Sequence, residues 1–266
     1  KKDINSLYMK SVGIDWEVPV ETVPLPSGGA VYPKDSWFHC KEFVNIKAMT
    51  AREEDILTSA AYIKQGIVVD ELIKSCLMER NVDVGDLIMG DKNALAISIR
   101  ITGYGADYNA NIECGECGHN NEKVFNLSEL EIKRLGAEPI EKGSNLFEFN
   151  LPVSKKVVHF KLISGNDESK RTKMLEDSVE ILGKSAPGLV TSNLETMIVS
   201  IDGVTDKGKI KSFINVMPAF DSKSLRKFMI DIQPGIDMNV RYTCDDCGAA
   251  GSAELPINTN FFWPKV

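Results

Sequence analysis

Two C-x-x-C pairs, far apart in the chain, restrict its fold more than any other feature. The first lies in I-E-C-G-E-C-G-H (residues 112–119) and supplies Cys114 and Cys117; the second lies in T-C-D-D-C-G (243–248) and supplies Cys244 and Cys247. A C-x-x-C turn brings two sulfurs to one point, and the glycine after it lets the backbone tighten until its amides face them. Two such knuckles complete a closed tetrahedral four-cysteine zinc site. Yet 126 residues separate Cys117 from Cys244, far more than the insert of a self-contained zinc ribbon. Acting together, the pairs would clasp two distant parts of one fold. Redox chemistry fits less well, because neither pair opens a helix after a strand, and paired disulfides do not suit a reducing cytosol. Reduced, unliganded pairs are the remaining reading. The expectation is one structural Zn2+ on Cys114, Cys117, Cys244 and Cys247. His119 is a spare donor that four cysteines make unnecessary, and a closed set leaves no open position for catalysis.

A chain of 266 residues is long enough to build ordinary hydrophobic cores, so a metal would fasten such a fold and not substitute for its core. The 38 acidic against 31 basic residues give a net charge of −7, which works against phosphate-backbone binding. No apolar run reaches the roughly 18–20 residues of a membrane span, and the opening K-K-D-I-N-S-L-Y lacks a signal-peptide core. The expectation is a protein of the cytosol or assembled from it, without membrane or nucleic-acid partners.

Of the other cysteines, Cys76 shares a helical face with Leu72, Ile73 and Leu77 and reads as a core thiol. Cys40 follows His39 in W-F-H-C-K and could form a catalytic or metal pair with it. On a strand, however, adjacent side chains point to opposite faces, so one of the two is expected in the core.

Residues 24–33, P-L-P-S-G-G-A-V-Y-P, are dense in turn formers and read as part of an extended arm suited to packing on a neighbour. At Thr50 the pattern changes: T-A-R-E is a capping box that starts a helix running to about Gly66. Helices through 70–79 and 91–101 follow, then a strand, knuckle and strand. A short helix is expected over 127–135, and L-F-E-F-N-L with K-V-V-H-F-K-L-I forms an antiparallel hairpin. His159, inside its second strand, reads as structural or exposed. Residues 167–232 read as helical again, with a stripe of Met174, Leu175, Val179 and Leu182, a second capping box S-N-L-E from Ser192, and a stripe of Leu225, Phe228, Met229 and Ile232. A second strand, knuckle and strand closes the chain, and a short repeat of helix, glycine turn, strand and C-x-x-C-G links the two ends. G-V-T-D-K-G-K-I from Gly203 resembles a P-loop but has Ile210 where the Mg2+-binding hydroxyl belongs, which favours a polar turn.

These readings give an α+β chain of helical blocks and antiparallel β-hairpins, its two knuckles joined as one zinc-ribbon-like four-cysteine clasp. The expected divisions are an arm at 1–49, a helical block with the first knuckle at 50–127, a hairpin insertion at 128–165, a second helical block at 166–233, and the second knuckle with a tail at 234–266.

The stretches P-L-P-S-G-G-A-V-Y-P, M-T-A-R-E-E-D-I-L-T-S, V-V-D-E-L-I-K-S-C and D-L-I-M-G-D-K-N-A-L-A-I-S-I-R-I-T-G-Y-G-A-D-Y resemble the T4-type bacteriophage baseplate hub family, from about Pro24 to Leu127. The resemblance implies a non-enzymatic structural or assembly component of a contractile tail, located in the virion tail baseplate and assembled in the host bacterial cytoplasm. Its implied partners are other hub and tail proteins and the tail-tube or tape-measure end. Within those stretches Met49, Thr50 and Glu53 are expected to fix the first helix, and Asp91 and Asn93 to cap or brace the third. The competing reading, from the cysteines alone, is a zinc-dependent nucleic-acid-binding regulator.

Overall fold

The computed structural model describes residues 18–182, 188–257 and 259–262. Its spine is helix α4 (Met89–Tyr104), in which Ala94, Leu95, Ala96, Ile97 and Ile99 are all buried. A helix apolar on so many sides belongs inside a domain, and residues 20–24, 43–47, 68–76 and 235–236 pack against it.

Strands β1 (Val20–Pro24) and β2 (Phe43–Lys47) pair antiparallel, with Val20 opposite Lys47. The turn-rich segment between them, expected as part of an arm, folds back onto this chain's own core, burying Leu25, Val31, Tyr32 and Phe38. Asp91, in the first turn of α4, explains why: it accepts from Ser27 N–H (2.9 Å), Ser27 Oγ (2.5 Å) and Tyr32 Oη (2.6 Å). Burial, only partly offset by these donors, holds the Asp91 carboxyl above its usual range.

Thr50 starts helix α1 (Ala51–Thr58) as expected. Its N–H and hydroxyl donate to Glu53 Oε2 at 2.9 and 2.5 Å, while Lys47 Nζ (2.7 Å) and Ser75 Oγ (2.6 Å) donate to Oε1. Glu53 is fully buried, with every donor in place. The helix does not continue to Gly66. Ser59 turns extended at ψ 107° and opens a separate helix α2 (Ala60–Gln65), its side chain competing for the backbone. Helix α3 (Val68–Cys76) buries Leu72, Ile73 and Cys76 against the core. Met49 lies against Gly103 of α4, where a Cβ would stand 2.8 Å from its terminal methyl.

From the end of α4 the chain enters a hairpin, β3 (Asp107–Glu113) and β4 (Asn120–Asn126). The buried Arg100 guanidinium steers this exit by donating to the carbonyls of Gly105 (2.7 Å), Asp107 (3.1 Å) and Phe261 (3.0 Å). The helix expected over 127–135 is absent: one 3-10 turn, Leu127–Glu129, leads into β5 (Ile132–Lys133). Pairing with the distant β9 (Gly235–Ile236) outweighs the weak local preference there.

Strands β6 (Phe147–Asn150) and β7 (Val157–Phe160) form the expected hairpin, and β8 (Ile198–Ile201) adds a third strand. His159 bridges that sheet's face, with Ser200 Oγ 3.0 Å from Nδ1 and Glu148 Oε2 3.3 Å from Nε2. Helix α5 spans Gly165–Leu182; the stripe of Met174, Leu175, Val179 and Leu182 lies outside the described side chains. Helix α6 (Leu189–Met197) begins after Gly188, so Ser192 lies inside it and S-N-L-E is not a cap. Helix α7 (Lys207–Val216) is capped by Asp206, which accepts from Lys209 N–H at 2.8 Å. The P-loop-like stretch is therefore a capped helix start whose Ile210 is core. Helix α8 (Ala219–Ile232) buries Leu225, Met229 and Ile232. After it, the backbone at Pro234 presses on α4: a Cβ at Gly90 would stand 1.8 Å from the Pro234 carbonyl oxygen. The final hairpin is β10 (Asn239–Thr243) with β11 (Ala250–Glu254). Among the described residues no helix is long and apolar enough to cross a membrane.

Candidate metal centre

Each C-x-x-C-G forms the turn of its hairpin, and the two turns match bond for bond. Cys114 N–H donates to His119 O (2.8 Å) and Gly118 N–H to Cys114 O (2.9 Å); Cys244 N–H donates to Ala249 O (2.9 Å) and Gly248 N–H to Cys244 O (3.1 Å). Gly118 and Gly248 both adopt left-handed backbone, φ 73° and 72°, which a side chain would resist. That need explains the glycine after each pair.

The hairpins meet at their turns. The Sγ atoms of Cys114, Cys117, Cys244 and Cys247 all lie within 4.8 Å of one another. Across the hairpins Cys114 stands 3.8 Å from Cys247, and Cys117 3.6 Å from Cys244. Cys114 and Cys244 are buried while Cys117 and Cys247 face outward. This arrangement could hold a metal ion. His119 contributes its carbonyl to the turn, and its ring is not in the cluster.

The electrostatics favour a cation. The amide of Cys247, and that of Asp246, point at the Cys244 sulfur and hold its thiol down at about 6. The His119 amide favours the Cys117 thiolate in the same way, yet partial desolvation and the neighbouring sulfurs push it up to about 12. One thiolate forms at the expense of the next, because like charges this close repel. A bound cation removes that conflict.

The sequence reading missed the residue that joins the hairpins. Asn121 is fully buried on β4: its Nδ2 donates to Ile112 O (3.2 Å) and His119 O (3.1 Å) within the first knuckle, and its Oδ1 accepts from Asp245 N–H (2.8 Å) in the second. Lys123 adds an ion pair to Asp245, and Tyr242 Oη reaches Glu113 O at 3.4 Å. The second knuckle has Gly251 at the position matching Asn121, and the Tyr242 ring covers it, 2.8 Å from where a Cβ would stand. A strand asparagine carries no sequence signal for this task, since most are exposed.

Cys76 is the buried core thiol expected, and desolvation pushes it up to about 12. The expectation for Cys40 and His39 is corrected. They lie on a turn, not a strand; neither side chain is in the core, and the two touch.

No curated protein and no solved structure matches the chain significantly. A family model described as T4 bacteriophage base plate protein matches residues 19–263. It runs through both knuckles and through residues 128–233, well beyond the 24–127 stretch on which the resemblance was read. Such a family indicates a place in the phage tail baseplate among other tail proteins, and suggests a non-enzymatic role. With almost the whole length matched, the chain belongs to the T4 bacteriophage base plate protein family and is a baseplate component.

Proposed function

We propose that the chain is a non-catalytic component of the baseplate hub of a contractile-tailed phage, with one structural Zn2+ held by Cys114, Cys117, Cys244 and Cys247. It is assembled in the host cytoplasm against other hub subunits and the tail-tube or tape-measure end. The observation that carries the metal reading is the convergence of four sulfurs on one point from hairpins 126 residues apart. Zinc held tetrahedrally by thiolates at about 2.3 Å has sulfur–sulfur edges of about 3.8 Å. The cross-hairpin separations of 3.8 and 3.6 Å fit that frame. When bound, the ion neutralises the crowded thiolates and contributes folding free energy; four protein ligands leave it no open position for substrate.

The hub assignment is supported by the baseplate family and by the hub-like stretches, whose distinctive residues have structural work: Glu53 gathers four donors, Gly90 admits the Pro234 carbonyl, and Asp91 anchors residues 27 and 32. Elemental analysis of the purified chain is expected to give one zinc per chain, and Cys114→Ser to lose it. A zinc-free wild type with all four thiols reduced overturns the metal reading. Mass spectrometry and a density map of purified tails are expected to place the chain in the hub. Density only at the baseplate periphery overturns that assignment, and absence from finished particles leaves only an assembly factor.

A further inference from the structure

The turn over residues 36–41 carries a cysteine–histidine pair outside the four-sulfur cluster. Phe38 fastens it to the core, its ring 5.4 Å from Tyr32 and 5.3 Å from Trp37. Cys40 has φ 53°, a left-handed conformation that strains a residue with a Cβ. It is held there by its N–H bond to Gly29 O (3.0 Å) and by that of Lys41 to Phe38 O (3.1 Å). The Cys40 sulfur thereby lies 3.4 Å from Nε2 of His39. The other ring nitrogen, Nδ1, is 2.6 Å from the Tyr32 carbonyl oxygen. A carbonyl only accepts, so Nδ1 carries a proton, and it is the neutral form of the ring whose Nε2 lone pair faces the thiol. Gly143 backs the ring, for a Cβ there would stand 2.9 Å from His39 Cε1. Nucleophile, base and orienting acceptor stand in the order that an activated thiol requires, and Cys40 is exposed.

We propose that Cys40 is a base-activated modification site for low-molecular-weight disulfides of the glutathione class. His39 Nε2 takes the Cys40 proton, and the thiolate attacks one sulfur of the disulfide. The reagent's S–S bond breaks as the Cys40 mixed disulfide forms. The departing thiolate recovers the proton from the imidazolium and leaves as a thiol. Cys40 is oxidised and half of the reagent is reduced, so no further redox partner is needed. Cys76 does not compete, because it is buried in the core.

The test is a time course of the full chain, with zinc supplied throughout, in oxidised glutathione, adducts being located by peptide mass mapping. A synthetic peptide of residues 34–43 keeps the His39–Cys40 neighbours but lacks Tyr32 and Gly143. Cys40 is expected to be modified first, about tenfold or more faster than in the peptide, and His39→Gln to slow it by a similar factor. A thermal melt establishes that His39→Gln is folded; if it is not, the comparison of chain with peptide decides alone. The proposal is overturned if the folded chain reacts no faster than the peptide, if folded His39→Gln reacts at the wild-type rate, or if another cysteine is modified before Cys40.

Discussion

Replacing Glu53 with glutamine removes a charge from a site built to accept four hydrogen bonds while leaving its volume unchanged. In the wild type Lys47 Nζ and Ser75 Oγ face one carboxylate oxygen, and Thr50 N–H and Oγ1 face the other. A glutamine amide can accept on only one side; its NH2 must confront either the Thr50 donors or the Lys47 ammonium. Burial by itself would raise the Glu53 carboxyl, but the Lys47, Ser75 and Thr50 donors outweigh it and bring it from 4.5 down to about 2. At 1.36 kcal/mol per pH unit that is about 3 kcal/mol, within the range of about 3–5 kcal/mol for breaking a buried pair. A loss of that size lowers Tm by roughly 6–12 °C in a chain of this length. The sign follows from a folded value below the unfolded one: the contribution is complete above about pH 5 and disappears as the pH falls toward 2. Urea unfolding, followed by tryptophan fluorescence at several pH values, measures the difference between wild type and Glu53→Gln. Asp91, which shifts the opposite way, is common to both proteins and cancels in that difference. A gap below about 1 kcal/mol at pH 7, or one that stays constant down to pH 2.5, would show that Glu53 is not the charged centre described.

Gly90→Ala should cost at least about 2 kcal/mol in the same urea assay, since the added carbon meets backbone that cannot turn aside; a neutral result would mean that Pro234 does not press on α4. Asn121→Ala should lower zinc affinity about 10- to 100-fold in a competition titration with a chromogenic chelator, while four cysteines still bind one ion. Unchanged affinity would leave Asn121 a purely local turn residue. Stripping the metal with a strong chelator should lower Tm in wild type and have no effect on Cys114→Ser, which scanning calorimetry can compare directly; an equal drop in both would place the metal elsewhere.

Short-range chemistry was legible along the chain wherever it closes within a few residues. C-x-x-C-G specifies its own turn because the glycine alone relieves the left-handed step. T-A-R-E places Glu53 within reach of Thr50, and spacing alone put Leu225, Met229 and Ile232 on the buried face of α8. Local propensity misread Ser59, Ser192 and residues 127–135, where a competing side-chain bond, an earlier helix start and a partner strand about a hundred residues away prevailed.

What the sequence by itself determined, then, is each knuckle as a unit, the capped first helix, the existence of helix α4 and the family. Two C-x-x-C pairs, each half of a four-sulfur set, also lead to the expectation that the knuckles join; only the tertiary structure decided how they are brought together. Their convergence depends on Arg100 directing one hairpin away from the end of α4, on Gly90 letting Pro234 close against its start, and on Asn121 bonding across the seam. It likewise decided that residues 24–33 pack inward on Asp91 and that Cys40 faces His39. Local bonds are encoded by neighbours a turn apart, whereas these contacts join residues separated by tens to more than a hundred positions or hang on a backbone bend held from elsewhere, and no local pattern records them.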